Sequence, residues 1–414
     1  MTVDANAQYA PKQPSGIRTL AVLMIQFVLM GFVVVTPAIA VFMDHFGPDA
    51  AATGLPVTLI STLPTLTTCI GILLSGFLVG KFVKHRTMAI IATLTFTIFG
   101  FLPAIFYNYI TVLICRAACG LGLGLLNPLA SAIILGCYSG NKQASLLGYG
   151  TLIINGGGIV LQTLGGILAD IDTSGQLVFW AHLLGFVSVI FAFLLPNPEL
   201  PTTDSQGKKV KVHIPGVVWI ICLVYVIFQV LNYPAMLNAG TIMMDPEHMG
   251  GNALSLDNVG FMASMALNVF TILGMIAGAA FGTVFKHMKK WVIPLGWFLC
   301  ALGILCVVAG NHPVWLCVGF GLLGLGFDWV APAYTSWIGI AANPASYPMC
   351  ITAVQISQQL GAFLATFWLQ LLTMTVGDAV YFPGYIEFAF CIIFTVIFLF
   401  VNPWKNKKAE EAAA

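Results

Sequence analysis

Two charged side chains lie deep inside long apolar stretches of this sequence, Arg116 and Asp328. A charge in lipid is costly, so such residues usually face a cavity and belong to the path of a proton or a solute. A carboxylate in that position can take up and release a proton, which makes Asp328 a candidate proton carrier and Arg116 a candidate for tuning it. Alternatively, Arg116 could tie helix carbonyls together, and Asp328 could bind a cationic group of a solute or pair with a polar neighbour.

Two other ionisable residues in apolar stretches are weaker candidates, His182 and Glu387. His182 is interpreted as a hydrogen-bonding group between helices rather than as a proton relay. Glu387 falls within a turn or two of a predicted helix start, where a carboxylate at the membrane interface is the simpler interpretation.

The composition places all of these residues in a lipid environment. Residues of the AVILMFWYC set make up 59% of the 414 residues, charged residues make up 7%, and the mean hydropathy is +0.95. A soluble domain has about 25% charged residues. A net charge of +1 leaves no basic surface for nucleic acid. The ten cysteines lie in or at the ends of apolar runs, which predicts small buried side chains rather than disulfides or metal ligands.

Sequence motifs of enzymes are missing as well. The chain contains no HExxH, no GxSxG and no GxxxxGKS or GxxxxGKT phosphate-binding loop. This disfavours an enzyme and a transporter driven directly by ATP. We expect no cofactor and no metal.

Long apolar runs divide the chain into twelve predicted membrane spans. Numbered 1 to 12 in chain order, they cover residues 18–43, 55–80, 87–107, 109–138, 143–169, 175–196, 214–240, 257–285, 290–310, 313–340, 347–376 and 381–402. If the N-terminus is cytoplasmic, fifteen of the sixteen Lys and Arg residues fall in cytoplasmic segments and none falls in an outer loop. By the positive-inside rule, this distribution predicts a multi-pass protein of the plasma or inner membrane with both termini in the cytoplasm.

A repeat divides the spans into two halves. GFLVGKFVKH at 76–85 is matched 202 residues later by GAAFGTVFKH, and CRAACGLGLGLL at 115–126 is matched by CVGFGLLGLGFD, which aligns Asp328 with Leu126. Spans 2 and 4 thus correspond to spans 8 and 10, and six spans per half give both halves the same orientation. The predicted fold is an all-α integral membrane protein with twelve transmembrane helices in two parallel six-helix bundles. The bundles are residues 1–200 and residues 214–414, the latter with a cytoplasmic tail, and the linker is 197–213.

The first repeated stretch places two glycines four residues apart near the cytoplasmic end of each half. Such glycines let a second helix approach closely, and the lysines beyond them leave the lipid. We interpret this place as helix packing at a gate where the halves slide against each other. The residues assigned to it are Gly76, Gly80, Lys84, Gly278, Gly282 and Lys286.

These features resemble the major facilitator superfamily of secondary transporters, whose twelve helices form two parallel bundles with a signature between helices 2 and 3. Gly76 fits the first glycine of that signature, and Lys84 and His85 fit its closing basic pair. Gly80 stands where the family has an acidic residue that locks the outward-facing state. Arg116, followed by glycines and a proline, resembles the helix-4 pattern that the family links to proton coupling.

The resemblance implies that spans 1, 4, 7 and 10, with 5, 8 and 11 beside them, line a solute cavity. Amides are frequent in these spans. Because a buried amide needs a partner in lipid, some of them would join helices while others would hold solute. The substrate-binding candidates are Gln26, Asn127, Asn155, Gln162, Gln229, Asn232, Tyr233, Asn268, Trp329, Gln355 and Gln359.

The sequence therefore predicts secondary active, proton-coupled transport of a small organic solute by a monomer that alternates access to one site. An organic anion or a polar neutral solute is favoured, because Arg116 adds positive charge and span 1 offers Gln26 in place of an acidic residue. The first alternative is a drug or multidrug efflux antiporter of the same superfamily. A passive facilitator, a sensor and a membrane-embedded enzyme are the others.

Overall fold

The computed structural model describes residue 14 and residues 16–197, 214–342, 346–376 and 381–401. Regular structure in these ranges is helical, apart from one isolated bridge between Val79 and Val83. The predicted linker lies outside the described residues except for Asn197, and so does the predicted C-terminal tail beyond residue 401.

In its described residues, the N-terminal half has four continuous α-helices and two spans that are partly 3₁₀-helical. Spans 2 to 5 are Leu59–Leu78, His85–Phe101, Tyr109–Cys137 and Gly140–Ile171. Span 1 consists of Gly16–Met24, Ile25–Val28, Gly31–Ala38 and Ile39–Thr53, and span 6 of Gln176–Leu184 and Gly185–Ala192. In span 1, Pro37 has no N–H to donate to the preceding turn, which accounts in part for the departure from α geometry there.

The C-terminal half has longer continuous helices. Span 7 is Gly216–Leu237, and two short helices, Ala239–Met244 and Pro246–Met249, follow it. Spans 8 to 12 are Val259–Met288, Val292–Ala309, Pro313–Ala341, Tyr347–Val376 and Phe382–Phe400.

The described helices confirm the twelve-helix prediction. Within the described ranges, nine segments are long and apolar enough to cross a bilayer, and one of them, Val259–Ala309, contains both span 8 and span 9. Span 6 is a shorter apolar helix, Gln176–Ala192, and span 11 is a helix of 30 residues that carries several amides. We call the end of the molecule with the connections after odd-numbered spans the outer end, and the opposite end the inner end, following the predicted topology.

Glycine contacts of spans 4 and 10 correct the register of the repeat. A Cβ added at Gly122 would lie 2.8 Å from the Ala92 carbonyl oxygen in span 3, and one added at Gly326 would lie 2.5 Å from the Gly296 carbonyl oxygen in span 9. Gly326 lies 204 residues after Gly122, and Gly296 lies 204 residues after Ala92. The structural repeat in these spans is therefore 204 residues, not 202. The sequence match of Gly122 to Gly324 is therefore wrong by two residues.

With this shift, Asp328 is equivalent to Gly124 and not to Leu126. Gly124 follows Arg116 by eight residues in span 4. Asp328, at the level of Gly124, is therefore roughly 12 Å from the level of Arg116 along the helix axis, at 1.5 Å per residue. The sequence alignment of Asp328 with Leu126 would instead put ten residues, or about 15 Å, between the two levels. The two charges are still too far apart for direct contact.

Candidate functional site

A cavity of about 390 Å³ lies between the two halves. Its size is within the range of pockets that bind small organic molecules. Side chains of spans 1, 4, 5, 7, 8, 10 and 11 line it, as the family resemblance implied. The candidate substrate-binding residues on its wall are Gln26, Asn127, Asn155, Gln162, Gln229, Tyr233, Gln355 and Gln359.

The wall also holds residues that the sequence had not assigned to the site. Polar groups come from Thr36, Ser131, Thr271 and Gln358, and a bulky apolar surface comes from Met30, Phe32, Phe270 and Phe327. In spans that are apolar on most faces, no periodic pattern marks the side that faces a cavity. The apolar part of the wall therefore gave no signal in the sequence.

Two cavity amides have a side-chain oxygen without a hydrogen-bond partner among the described residues, Gln162 and Gln229. Both side chains are buried. An unpaired buried acceptor costs about 1 to 3 kcal/mol. A solute that donates N–H or O–H groups to these oxygens would therefore be stabilised in the cavity.

Three predicted substrate-binding residues do not line the cavity, contrary to the prediction. Asn232 donates from Nδ2 to a backbone carbonyl one turn earlier in span 7, at 2.7 Å. Asn268 donates to Thr163 Oγ1 at 2.7 Å, and Trp329 donates to the Ala277 carbonyl oxygen at 3.1 Å. Their donor groups bind neighbouring helices, although Asn268 Oδ1 has no hydrogen-bond partner among the described residues. Sequence spacing gives the depth of a residue in the membrane but not the direction in which its side chain points.

Arg116 is completely buried and binds the backbone of two neighbouring spans. Its Nε donates to the Ile60 carbonyl at 2.8 Å, and its Nη2 donates to the Phe32 carbonyl at 2.9 Å. Its side chain is not part of the cavity wall. The arrangement matches the structural alternative, in which the arginine ties helix carbonyls together.

His182 completes the Arg116 cluster. Its Nε2 lies 3.1 Å from Arg116 Nη1, and its Nδ1 lies 3.2 Å from the Phe179 carbonyl oxygen. Because the guanidinium can only donate and the carbonyl can only accept, the ring must be neutral with its proton on Nδ1. This geometry agrees with the interpretation of His182 as a hydrogen-bonding group between helices.

Asp328 is the only charged residue on the cavity wall among the described residues, and Gly274 in span 8 makes room for it. A Cβ added at Gly274 would lie 2.2 Å from Asp328 Oδ2. A second cavity of about 570 Å³, on the side of the inner end, shares Asp328 and Asn155 with the first. The carboxylate therefore borders both cavities.

Glu387 lies inside the bundle, which corrects its interpretation as an interfacial carboxylate. Its side chain is 1% exposed, and its Oε1 has no hydrogen-bond partner among the described residues. It borders a small void beside Pro234 of span 7 and Val308 of span 9, and it lines neither of the two large cavities.

The glycines assigned to the gate are open in this structure. No heavy atom of the described residues lies within 4 Å of a Cβ added at Gly76, Gly80, Gly278 or Gly282, and the side chains of Lys84 and Lys286 are exposed. The predicted close packing at these glycines is thus wrong for this conformation. Gly80 has a different local role, because its φ of +81° starts the turn after span 2, a conformation that favours glycine.

The halves meet instead at the outer end. The hydroxyl oxygens of Thr62 in span 2 and Thr366 in span 11 lie 2.6 Å apart. A Cβ added at Gly166 in span 5 would lie 2.4 Å from the Gly260 carbonyl oxygen in span 8. The contacts at one end and the open glycines at the other correspond, in the predicted topology, to an inward-facing arrangement.

A sequence model described as Major Facilitator Superfamily matches residues 21–290. The chain belongs to the major facilitator superfamily. This confirms the resemblance found in the sequence, and membership of this superfamily makes the chain a multi-pass membrane transporter.

Relatives and solved structures agree with this assignment. The chain is 23% identical over 324 residues to the quinolone resistance protein NorA of Staphylococcus aureus strain COL, covering 76% of this chain and 79% of NorA. The nucleoside transporter NupG superposes with a TM-score of 0.68 at 12% identity, over 93% of this chain and 98% of NupG. A peptide transporter of the POT family, crystallised in an auto-inhibited form, superposes with a TM-score of 0.68 at 13% identity, over 93% and 96%. At these identities the solved structures show the shared superfamily fold alone.

Proposed function

We propose that this superfamily member is a secondary transporter that exchanges protons for a small organic cation by alternating access. The observation that carries the proposal is Asp328, the only charge on the cavity wall among the described residues, which also lines the second cavity. One carboxylate can hold a proton or a cationic group, and occupancy by one excludes the other. Competition for a single carboxylate is what an exchanger requires.

The remaining wall supports an amphipathic solute. Phe270 and Phe327 offer aromatic faces that attract cations as well as apolar surface. The unpartnered oxygens of Gln162 and Gln229 favour a solute that donates hydrogen bonds. The likeness to NorA, whose name refers to quinolone resistance, points in the same direction.

An organic anion, which the sequence favoured, fits this cavity poorly. That preference rested on Arg116, which lies outside the cavity wall, while the wall itself carries a carboxylate. A neutral polar solute remains the second candidate, because eight of the lining residues are Asn or Gln. Such a solute would leave Asp328 free to carry a proton in the same direction.

The proposal includes the predicted sidedness. The distribution of basic residues favours cytoplasmic termini in a plasma or inner membrane. Described residues of both halves of one chain line the cavity, which supports transport by a monomer. In that orientation the structure is inward-facing.

Proton movement into and out of proteoliposomes, followed with a trapped pH-sensitive dye, tests the mechanism. Lipophilic cations, neutral metabolites and organic acids are added outside in turn to vesicles with wild type, Asp328→Asn or Glu387→Gln. Glu387→Gln is the matched control, because it neutralises a buried carboxyl group that lines neither cavity. Exchange predicts that a cation raises the internal pH, that Asp328→Asn abolishes the signal and that Glu387→Gln keeps it.

Other outcomes separate the alternatives. A fall in internal pH on addition of a neutral solute would favour symport over exchange. Solute uptake without any proton signal in the wild type would contradict proton coupling. A signal of full size in Asp328→Asn would contradict the role of that carboxylate as the carrier.

A further inference from the structure

Asp170, near the end of span 5, hydrogen-bonds the start of span 8 across the interface between the halves. Its Oδ1 accepts from the Gly260 backbone N–H at 2.6 Å, and its Oδ2 accepts from the Phe261 backbone N–H at 2.8 Å. Span 8 begins at Val259, so these N–H groups belong to its first turn and have no partner within the helix. A carboxylate of one half therefore caps a helix of the other half.

The residue that would ordinarily supply this cap does not do so. Asn258 precedes span 8, but its side chain makes no capping bond, and its Oδ1 accepts from the Ser255 backbone N–H at 3.0 Å. If a residue of the same half capped span 8, the hydrogen bonds of its first turn would not depend on the position of span 5. Here the satisfaction of its first turn depends on contact between the halves.

Two glycines bring Asp170 within reach of span 8. A Cβ added at Gly166 would lie 2.4 Å from the Gly260 carbonyl oxygen, and one added at Gly260 would lie 2.5 Å from the Gly166 carbonyl oxygen. The second would also lie 2.8 Å from Asp170 Oδ1. Because the two backbones touch, the short side chain of an aspartate is long enough to bridge them.

The same two spans separate toward the inner end. Within the described part of the chain, no heavy atom lies within 4 Å of a Cβ added at Gly148 of span 5 or at Gly278 of span 8. The cavity of about 570 Å³ is lined by both stretches. Gly148 lies about 33 Å from Asp170 along span 5, at 1.5 Å per residue. The pair is therefore closed at its outer end and open at its inner end.

We propose that Asp170 is a positioning residue of the transport cycle, an outer lock that holds the halves together while the cavity faces inward. To open the outer end, both hydrogen bonds must break, and the first turn of span 8 must be solvated by water instead. The proposal rests on alternating access within the proposed function, but on neither the solute class nor the coupling ion.

Hydrogen–deuterium exchange of the full-length protein in lipid nanodiscs tests the lock, because it reports opening at both ends at once. Loss of a helix cap typically changes an equilibrium by about fivefold. Asp170→Ala should therefore shift the ratio of inward- to outward-open forms by about fivefold. Exchange should become faster at residues 259–263 and slower at the inner stretches 148–155 and 274–279.

Asp172→Ala is the matched control. This carboxylate lies two residues away, but it accepts hydrogen bonds from Ser174 and Leu177 in its own half. Its loss should alter exchange in that loop and leave both ends of the spans 5 and 8 pair unchanged. Asp170→Asn keeps one acceptor oxygen. We therefore expect its ratio of inward- to outward-open forms to lie between that of the wild type and that of Asp170→Ala.

Faster exchange confined to the first turn of span 8, with the inner end unchanged, would overturn the proposal by showing a local cap without a part in the gate. If Asp170→Ala does not fold, Asp170→Asn takes its place, because it keeps the size of the side chain and removes one of the two acceptor oxygens that bind span 8. That variant must give the paired change at both ends, and its absence would also overturn the proposal. A failure of proton coupling in proteoliposomes would leave this exchange pattern unchanged, so the two proposals can fail separately.

Discussion

The contact between spans 2 and 4 in the N-terminal half differs from the corresponding contact between spans 8 and 10 in the C-terminal half. In the N-terminal half, spans 2 and 4 meet at Gly71 and Gly124, where a Cβ added to either glycine would lie 2.8 Å from the Cα of the other. In the C-terminal half, spans 8 and 10 meet at Gly274 and Asp328, and the carboxylate occupies the space above the glycine. One helix pair therefore serves as a packing contact, and its counterpart carries an ionisable group that faces the cavity.

Buried charge is divided in the same manner. Arg116 in the N-terminal half binds the carbonyls of Phe32 and Ile60, and its equivalent in the corrected register is the buried Phe320. Asp328 in the C-terminal half lines both cavities. The comparison indicates that a duplicated fold can use a buried charge to join helices in one copy and can present an ionisable group to the cavity in the other.

Arg116→Ala is the change with the largest expected effect, and it tests the cohesive half. It removes two charged hydrogen bonds to buried carbonyls, each worth about 1.5 to 3 kcal/mol. We expect a loss of at least about 3 kcal/mol in stability, seen as a lower unfolding temperature in detergent. Arg86→Ala, at an exposed position of span 3, should have little effect. A fully stable Arg116→Ala protein that has lost proton coupling would break the comparison.

Gly71→Ala and Gly274→Ala sharpen the comparison with one substitution in each half. At Gly71 the added Cβ would lie 2.6 Å from the Leu121 carbonyl oxygen, so two helices must move apart, at a cost of about 1 to 3 kcal/mol. At Gly274 it would meet the end of the Asp328 side chain, which can rotate away.

Gly274→Ala should therefore lower the unfolding temperature less than Gly71→Ala while reducing proton-coupled transport more. Both quantities are measured on both variants, in detergent and in proteoliposomes. Equal loss of stability, together with full transport in Gly274→Ala, would show that the position of the carboxylate is unimportant.

The smallest expected effect is a pH dependence of the unfolding temperature that comes from Asp172, in an outer loop of the N-terminal half. Burial raises the pKa of Asp172, but hydrogen bonds from Ser174 and Leu177 outweigh it and hold the pKa below its ordinary value. The stabilisation is therefore present above the ordinary pKa and is lost as the pH falls through the lower folded value. Below about pH 4, the unfolding temperature of the wild type should fall more steeply than that of Asp172→Asn. Parallel curves for the two proteins would contradict this.

Sequence patterns predicted the twelve spans and the amide-lined cavity because apolar length and polar content are properties of the chain itself. The direction of a side chain is not such a property in a bundle that is apolar on most faces. Arg116 and Asn268 were therefore assigned to the site, although they join helices. Gly274, which shapes the site, was not distinguishable among 42 glycines. The sequence alignment missed the two-residue shift in register because it matched glycines by identity. The structural equivalence depends instead on which backbone each glycine contacts.

The contact of Gly166, Asp170 and Gly260 also has a consequence for inheritance. A side chain at either glycine would push the two backbones apart and leave the carboxylate short of its N–H partners. An acidic residue at position 170 should then persist in descendants of this gene only together with both glycines. The pattern GxxxD at the end of span 5, with a glycine in the first turn of span 8, would be the ancestral mark of transporters that close their outer end in this way.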